Sequence, residues 1–193
     1  MKKYRIVSKR TKCIRQCRKI SLRLKKPEWI VEIKKYDNSV ALTPPMGWNS
    51  WDCYGAAVNE QQVRQNAEYM AKHLKDFGWE YVVVDIQWYE PNAKNHEYNP
   101  FTELCIDEYS RTYPAVNKFP SAKDGAGFKP LADYIHSLGL KLGIHIMRGI
   151  PRNAVHQNLK IKGTDKTARQ IAKTASICQW NTDMYGVDPS KEG

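Results

Sequence analysis

The chain has 193 residues, 41% of them hydrophobic and 26% charged, which suits one domain with a real core, and no stretch is apolar enough to span a membrane. Its formal charge of +11 suggests nucleic acid until the distribution is read: 14 of the 31 Lys and Arg and only two of the 20 acids fall in residues 1–35, leaving 17 basic against 18 acidic residues elsewhere. The basicity belongs to an N-terminal extension, residues 1–40, and because such a charge run is usually a solvated face, no nucleic-acid partner is assigned.

That extension is expected to be poorly ordered. It lacks the apolar run that follows the basic residues of a secretory leader, so no signal peptide is expected and the reading is cytoplasmic. The cysteines, Cys13, Cys17, Cys53, Cys105 and Cys178, are odd in number and form neither a CxxC pair nor a Cys/His cluster at zinc-ligand spacing. They read as free thiols in a reducing compartment, with no metal and no cofactor.

Residues 41–48 read as extended and lead into a turn at Tyr54-Gly55. Asn59 with Gln62 three residues later has the pattern of a capping box, and Val63, Ala67, Met70, Ala71, Leu74 and Phe77 recur at helical spacing until Gly78. Residues 81–88, β-branched and without alternation, predict a strand covered on both faces, the mark of a parallel sheet. Residues 89–127 form a stretch too long for a plain connector, and such loops are usually functional or disordered. A second helix is predicted over 128–138, with Pro130 in its first turn and Gly139 at its end, then a strand over 141–147, a short helix over 165–173 and a loop over 178–193.

Strand, helix, strand, helix, strand is the order of an α/β fold with a parallel sheet, and such sheets gather ligands at the carboxyl ends of their strands. Those ends carry Trp51 and Asp52, then Asp85, Gln87 and Trp88, then His145, Met147 and Arg148. Trp rings stack on the apolar face of a sugar while acids take its hydroxyls, so a carbohydrate is the expected partner. The alternatives are core packing for the tryptophans, an Asp85–Arg148 ion pair, and a hydrogen-bonded structural role for His145.

The run Pro44-Pro45-Met46-Gly47-Trp48-Asn49-Ser50-Trp51-Asp52, the segment Tyr81-Val82-Val83-Val84-Asp85 with Trp88, then Phe119-Pro120, and Leu131-Ala132-Asp133-Tyr134-Ile135-His136-Ser137 through Gly139-Leu140-Lys141-Leu142-Gly143-Ile144 together resemble the α-galactosidase (melibiase) family, family 27 of the glycoside hydrolases. The resemblance covers about residues 41–193 and implies about three β/α units, the N-terminal part of an incomplete (β/α)8 TIM barrel. It also implies retaining hydrolysis of terminal α-galactosides or related glycosides by two carboxylates, without a metal. By position, Trp51 resembles the Trp that packs against the sugar and Asp85 the first of two adjacent acids that hold its outer hydroxyls. His145 stands where many members have Tyr. Asp52, Trp88 and Arg148 complete the candidate substrate-binding set.

Two departures shape the expectation. Typical members have Asp-Asp where this chain has Asp85-Ile86, which admits a pentopyranoside lacking the C6 hydroxymethyl or a differently configured hexose, with Asp52, Gln87 or Arg148 as substitute contacts. The resemblance also puts the nucleophile and the acid/base beyond Gly193, so no catalytic residue is assigned, and the chain alone is expected to be inactive and marginally stable. The alternative is a non-catalytic carbohydrate-binding remnant.

Overall fold

The structure is a computed structural model that describes residues 43–98 and 102–191. The basic extension therefore lies outside the described residues. Strand β1, Met46–Asn49, β2, Trp79–Val84, and β3, Lys141–Ile144, form a parallel sheet in the order β1-β2-β3, so spatial order repeats chain order. This is the α/β arrangement expected from the alternating elements, the sheet of three successive β/α units, and the described residues do not close it into a barrel.

The first unit begins under a tight steric rule. A Cβ on Gly47 would lie 2.1 Å from the Tyr81 carbonyl oxygen, so only glycine lets β1 lie this close to β2. A short helix α1, Trp51–Tyr54, follows the strand at once, and Gly55, at φ 55°, turns the chain out of it. Helix α2, Glu60–His73, then starts on the predicted capping box: Asn59 Oδ1 accepts from the Gln62 N–H, and Gln62 Oε1 accepts from the Asn59 N–H, both at 3.0 Å. Val63, Ala67 and Met70 are its buried face.

The helical periodicity overreaches at its end. α2 stops at His73, a 3-10 turn occupies Lys75–Phe77, and Phe77 is 75% exposed instead of completing the apolar stripe. The tighter turn rotates residue 77 away from the face that a continued α-helix would have given it. Strand β2 is likewise shorter than its β-branched run. Val82 and Val84 are fully buried while Tyr81 and Val83 are only half-buried, and the chain leaves the strand after Val84, so Ile86, Gln87 and Trp88 belong to the turn that follows.

That turn opens the long stretch of residues 89–127, whose described residues pack as ordered core. Tyr89, Leu104, Ala115, Phe119 and Ala122 are buried, and the Ala115 N–H donates to the Trp88 carbonyl at 3.0 Å. Phe128 meets both Trp88 and Phe119 edge-on, with ring centroids 5.0 and 5.2 Å away, a geometry worth about 1 kcal/mol per pair beyond burial. Helix α3, Lys129–Ser137, presents Leu131 and Ile135 to the same core, and β3 ends at Ile144, three residues before its predicted limit.

A second, antiparallel sheet follows. It contains β4, Ile150–Pro151, β5, Ala172–Ile177, and β6, Met184–Val187, in the order β4-β6-β5, with helices α4, Arg152–Gln157, and α5, Ala168–Ile171, between β4 and β5. The helix expected over 165–173 is thus a single turn that runs into a strand, and the expected terminal loop contains β6. Residues 172–177 are too small and polar to signal a strand, and their pairing comes from β6, where Ala172 faces Val187.

Candidate sugar-binding site

The three parallel strands end at one edge, and Asp85 sits in its middle. Its N–H donates to Ser50 Oγ at 2.9 Å, and the Ser50 N–H donates to the Val83 carbonyl at 3.0 Å, so a fully buried serine between β1 and α1 fixes where the acid begins. The carboxylate is held at both oxygens. Oδ1 accepts from the Ile86 N–H at 2.7 Å, and Oδ2 lies 2.9 Å from His145 Nδ1. Facing a carboxylate, Nδ1 is the nitrogen that carries the proton.

His145 is placed by its backbone. Its N–H donates to the Val84 carbonyl at 2.9 Å, extending the sheet by one bond, and its carbonyl accepts the Trp88 indole N–H at 2.7 Å. The Asp85 side chain is 14% exposed and the His145 side chain 55%, so the pair has a buried end and an open end. A cleft of about 270 Å³ lies over it, lined by Asp85 and Ile86 from one strand end, His145 to Arg148 from the next, and Trp180.

The aromatic side chains form a row beside this cleft. Trp51 stacks on Tyr98 with centroids 5.7 Å apart and planes 15° apart, while His96 meets Trp51 edge-on at 5.4 Å and its Nε2 lies 3.0 Å from the Trp51 carbonyl oxygen. Tyr98 in turn leans on Trp180 at 5.2 Å, and Trp180 is 54% exposed. Burial, and then the Asp85 charge, push the Tyr98 hydroxyl above its ordinary pKa. Trp51 therefore reaches the cleft through Tyr98 and Trp180, and does not line it.

The sequence-derived candidates are distributed as follows. Asp85, His145 and Arg148 come together at the cleft. Asp52 is exposed in the first turn of α1. Trp88 is 3% exposed and lies under the cleft floor, where it carries the bond to His145. The side chain that meets the Asp85 carboxylate is His145, in place of the Asp85–Arg148 ion pair considered from sequence. Sequence reasoning misses Ser50, Tyr98 and Trp180; Trp180 stands outside the matched motifs, and only its neighbouring Asn and Gln hint at a polar aromatic loop.

Behind the floor is a buried polar layer. Gln87, fully buried at φ 66°, sits between the cleft residue Ile86 and the indole of Trp88, and Lys118, Glu90, Asn181 and Asp183 are buried near it or along the same floor. Lys118 Nζ donates to the carbonyls of Ala56 at 2.6 Å and Gln87 at 2.8 Å. Burial pushes its pKa down to about 8, against the opposing charges of Glu90 and Cys105. Among the described residues no three of His, Cys, Asp and Glu come together to hold a metal ion, and no helix is long and apolar enough to cross a membrane.

The family model described as alpha galactosidase A matches residues 43–191, from β1 through β6. The chain belongs to the melibiase family. Among solved structures of the family it is similar to a variant of a GH27 β-L-arabinopyranosidase from Geobacillus stearothermophilus in complex with arabinose, at 74% identity and a TM-score of 0.78, over 79% of this chain and 36% of that one. A Bacillus halodurans structure with a provisional α-N-acetylgalactosaminidase name is 72% identical with a TM-score of 0.74, over 79% and 36%. The α-galactosidase of Cyamopsis tetragonoloba is 37% identical over 159 residues, 81% of this chain and 33% of that protein. The chain thus spans about a third of the length of these relatives.

Proposed function

We propose that this chain forms the sugar-holding wall of a retaining glycoside hydrolase site for a terminal pentopyranoside of the β-L-arabinopyranoside type. Ile86 is the observation that carries the reading. It lines the cleft beside Asp85, is 7% exposed, and its one backbone donor is already bonded to Asp85 Oδ1. β-L-Arabinopyranose repeats the ring configuration of α-D-galactopyranose without the C6 hydroxymethyl. A hydroxymethyl pressed against Ile86 finds no acceptor there, and a buried hydroxyl left unpaired costs about 1–3 kcal/mol. The similarity at 74% identity to an arabinopyranosidase supports the same substrate class.

In this reading Asp85 and His145 take ring hydroxyls, and Trp180, backed by Tyr98 and Trp51, offers the apolar face. Hydrolysis with retention uses two carboxylates about 5–5.5 Å apart, one attacking the anomeric carbon and the other protonating the leaving oxygen. Because the chain spans about a third of its relatives, binding is the property to measure. Calorimetric titration of the chain with L-arabinose, D-galactose and N-acetylgalactosamine tests the proposal. The expected result is L-arabinose bound more tightly than either hexose, by roughly ten- to a hundredfold, the range a hydrophobic wall can enforce. Equal or tighter binding of a hexose overturns the pentoside assignment, and no binding of any of the three overturns the sugar-holding wall.

A further inference from the structure

The buried layer contains a cation that the sugar reading does not use. Lys118 is 7% exposed and precedes Phe119, itself 1% exposed, so the chain carries a charged side chain into the interior here. Burying an ammonium group is unfavourable unless it is hydrogen-bonded and opposed by charge, and a methionine of similar length would fill the space without that penalty. The bonds it makes indicate what it does. The Ala56 carbonyl belongs to the turn after α1, and the Gln87 carbonyl belongs to the turn after β2, so one amino group joins the two loops that follow the first two strands.

The second of those bonds falls on a strained residue. Gln87 is neither glycine nor asparagine, yet its φ is 66°, a conformation that is unfavourable for such a residue and persists only where the surroundings over-determine it. Its carbonyl accepts from Lys118 Nζ at 2.8 Å and from the Glu90 N–H at 3.0 Å, and its side-chain Nε2 lies 3.4 Å from Asp183 Oδ2. The left-handed turn reverses the chain between Ile86, which lines the cleft, and Trp88, which lies beneath it. From there the Trp88 indole N–H bonds the His145 carbonyl at 2.7 Å, and His145 Nδ1 meets Asp85 Oδ2 at 2.9 Å.

We propose that Lys118 is a positioning residue for the Asp85–His145 pair, acting through the Gln87 turn and the Trp88 indole. It touches no substrate. It holds the Gln87 carbonyl, the turn sets the height of the Trp88 ring, and the indole N–H fixes the backbone of His145, whose imidazole then meets the acid. A lysine serves here because its Nζ reaches two carbonyls on different loops from a third segment of chain, which a neutral apolar side chain cannot do. The role in sugar recognition rests on the proposed function above, whereas the coupling from Lys118 to His145 does not.

The test separates the two. Ring-15N NMR of the 193-residue chain at pH 8 reports which imidazole nitrogen of His145 carries the proton, and the intact chain is expected to show Nδ1 protonated against Asp85. Lys118→Met, folded by circular dichroism, is expected to move His145 toward the Nε2-protonated form of a free histidine. L-Arabinose affinity is expected to fall about tenfold, the equivalent of one hydrogen bond lost at the site. Trp88→Phe keeps an aromatic ring in the core and deletes the indole N–H, so it is expected to give the same 15N change, and it decides the matter if Lys118→Met does not fold. An unaltered His145 spectrum in either folded variant overturns the proposal. A changed spectrum in a chain that binds no sugar upholds the coupling and refutes only the sugar-holding wall.

Discussion

His145 Nδ1 and Asp85 Oδ2 stand 2.9 Å apart across the ends of two neighbouring parallel strands, with the His145 N–H bonded to the Val84 carbonyl and the Asp85 N–H to Ser50 Oγ. The contact is a consequence of register. Val84 pairs with Ile144, so the next residue on each strand emerges at the same level.

Replacing Asp85 by Asn keeps the shape and one acceptor oxygen but removes the charge. Charge-assisted hydrogen bonds contribute about 1.5–3 kcal/mol. The expected outcome is a loss of sugar affinity of about tenfold or more by calorimetry, with a thermal midpoint within a few degrees of the parent.

Ile86→Asp returns a second acid to the wall. The ratio of D-galactose to L-arabinose affinity is expected to rise at least tenfold, while urea denaturation shows a stability loss of about 1–3 kcal/mol, because an unpaired carboxylate replaces a side chain that is 7% exposed. An unchanged ratio in a folded variant removes Ile86 from the specificity argument.

Lys118 gives the fold a pH dependence whose sign is fixed. Its pKa is about 8 in the fold against an ordinary lysine value of 10.5, so between these values the unfolded chain binds the extra proton and stability rises with pH. The contribution is fully present above the unfolded value and is lost as pH falls through about 8. Glu90 and Cys105 are the charged and titratable groups that face it and oppose the shift. Denaturation at pH 7 and pH 10 is expected to show a stabilising increment on the order of 3 kcal/mol in the parent that is missing in Lys118→Met.

Asn59→Ala removes the acceptor of the capping box. A loss of about 1 kcal/mol is expected, with no change in sugar affinity, since the cap lies at the start of α2 and away from the cleft. A loss of binding without a loss of stability contradicts the division between helix and site.

The parallel sheet, α2 and α3 were legible because each rests on a local rule: the Asn59–Gln62 box, the β-branched run before Asp85, and Pro130 and Gly139 around α3. Asp85 and His145 were legible as residues just past strands. What escaped depends on partners remote in sequence. Lys118 looks like any surface lysine until its carbonyl partners arrive from 31 and 62 residues away, and Trp180 joins Tyr98 only through the folded path of β5 and β6. Phe77 misled for the opposite reason, since periodicity continued for one turn after the α-helix had ended.

The two bonds already made to the Asp85 carboxylate also limit what it can read. Each oxygen has two acceptor directions, and the Ile86 N–H and the His145 imidazole fill one on each, leaving one vacancy per oxygen. Asp85 can therefore accept from at most two sugar hydroxyls, along directions set before any sugar arrives. A vicinal pair of hydroxyls matches those vacancies in only some ring configurations, so a rigid backbone turns a single acid into a gauge of stereochemistry.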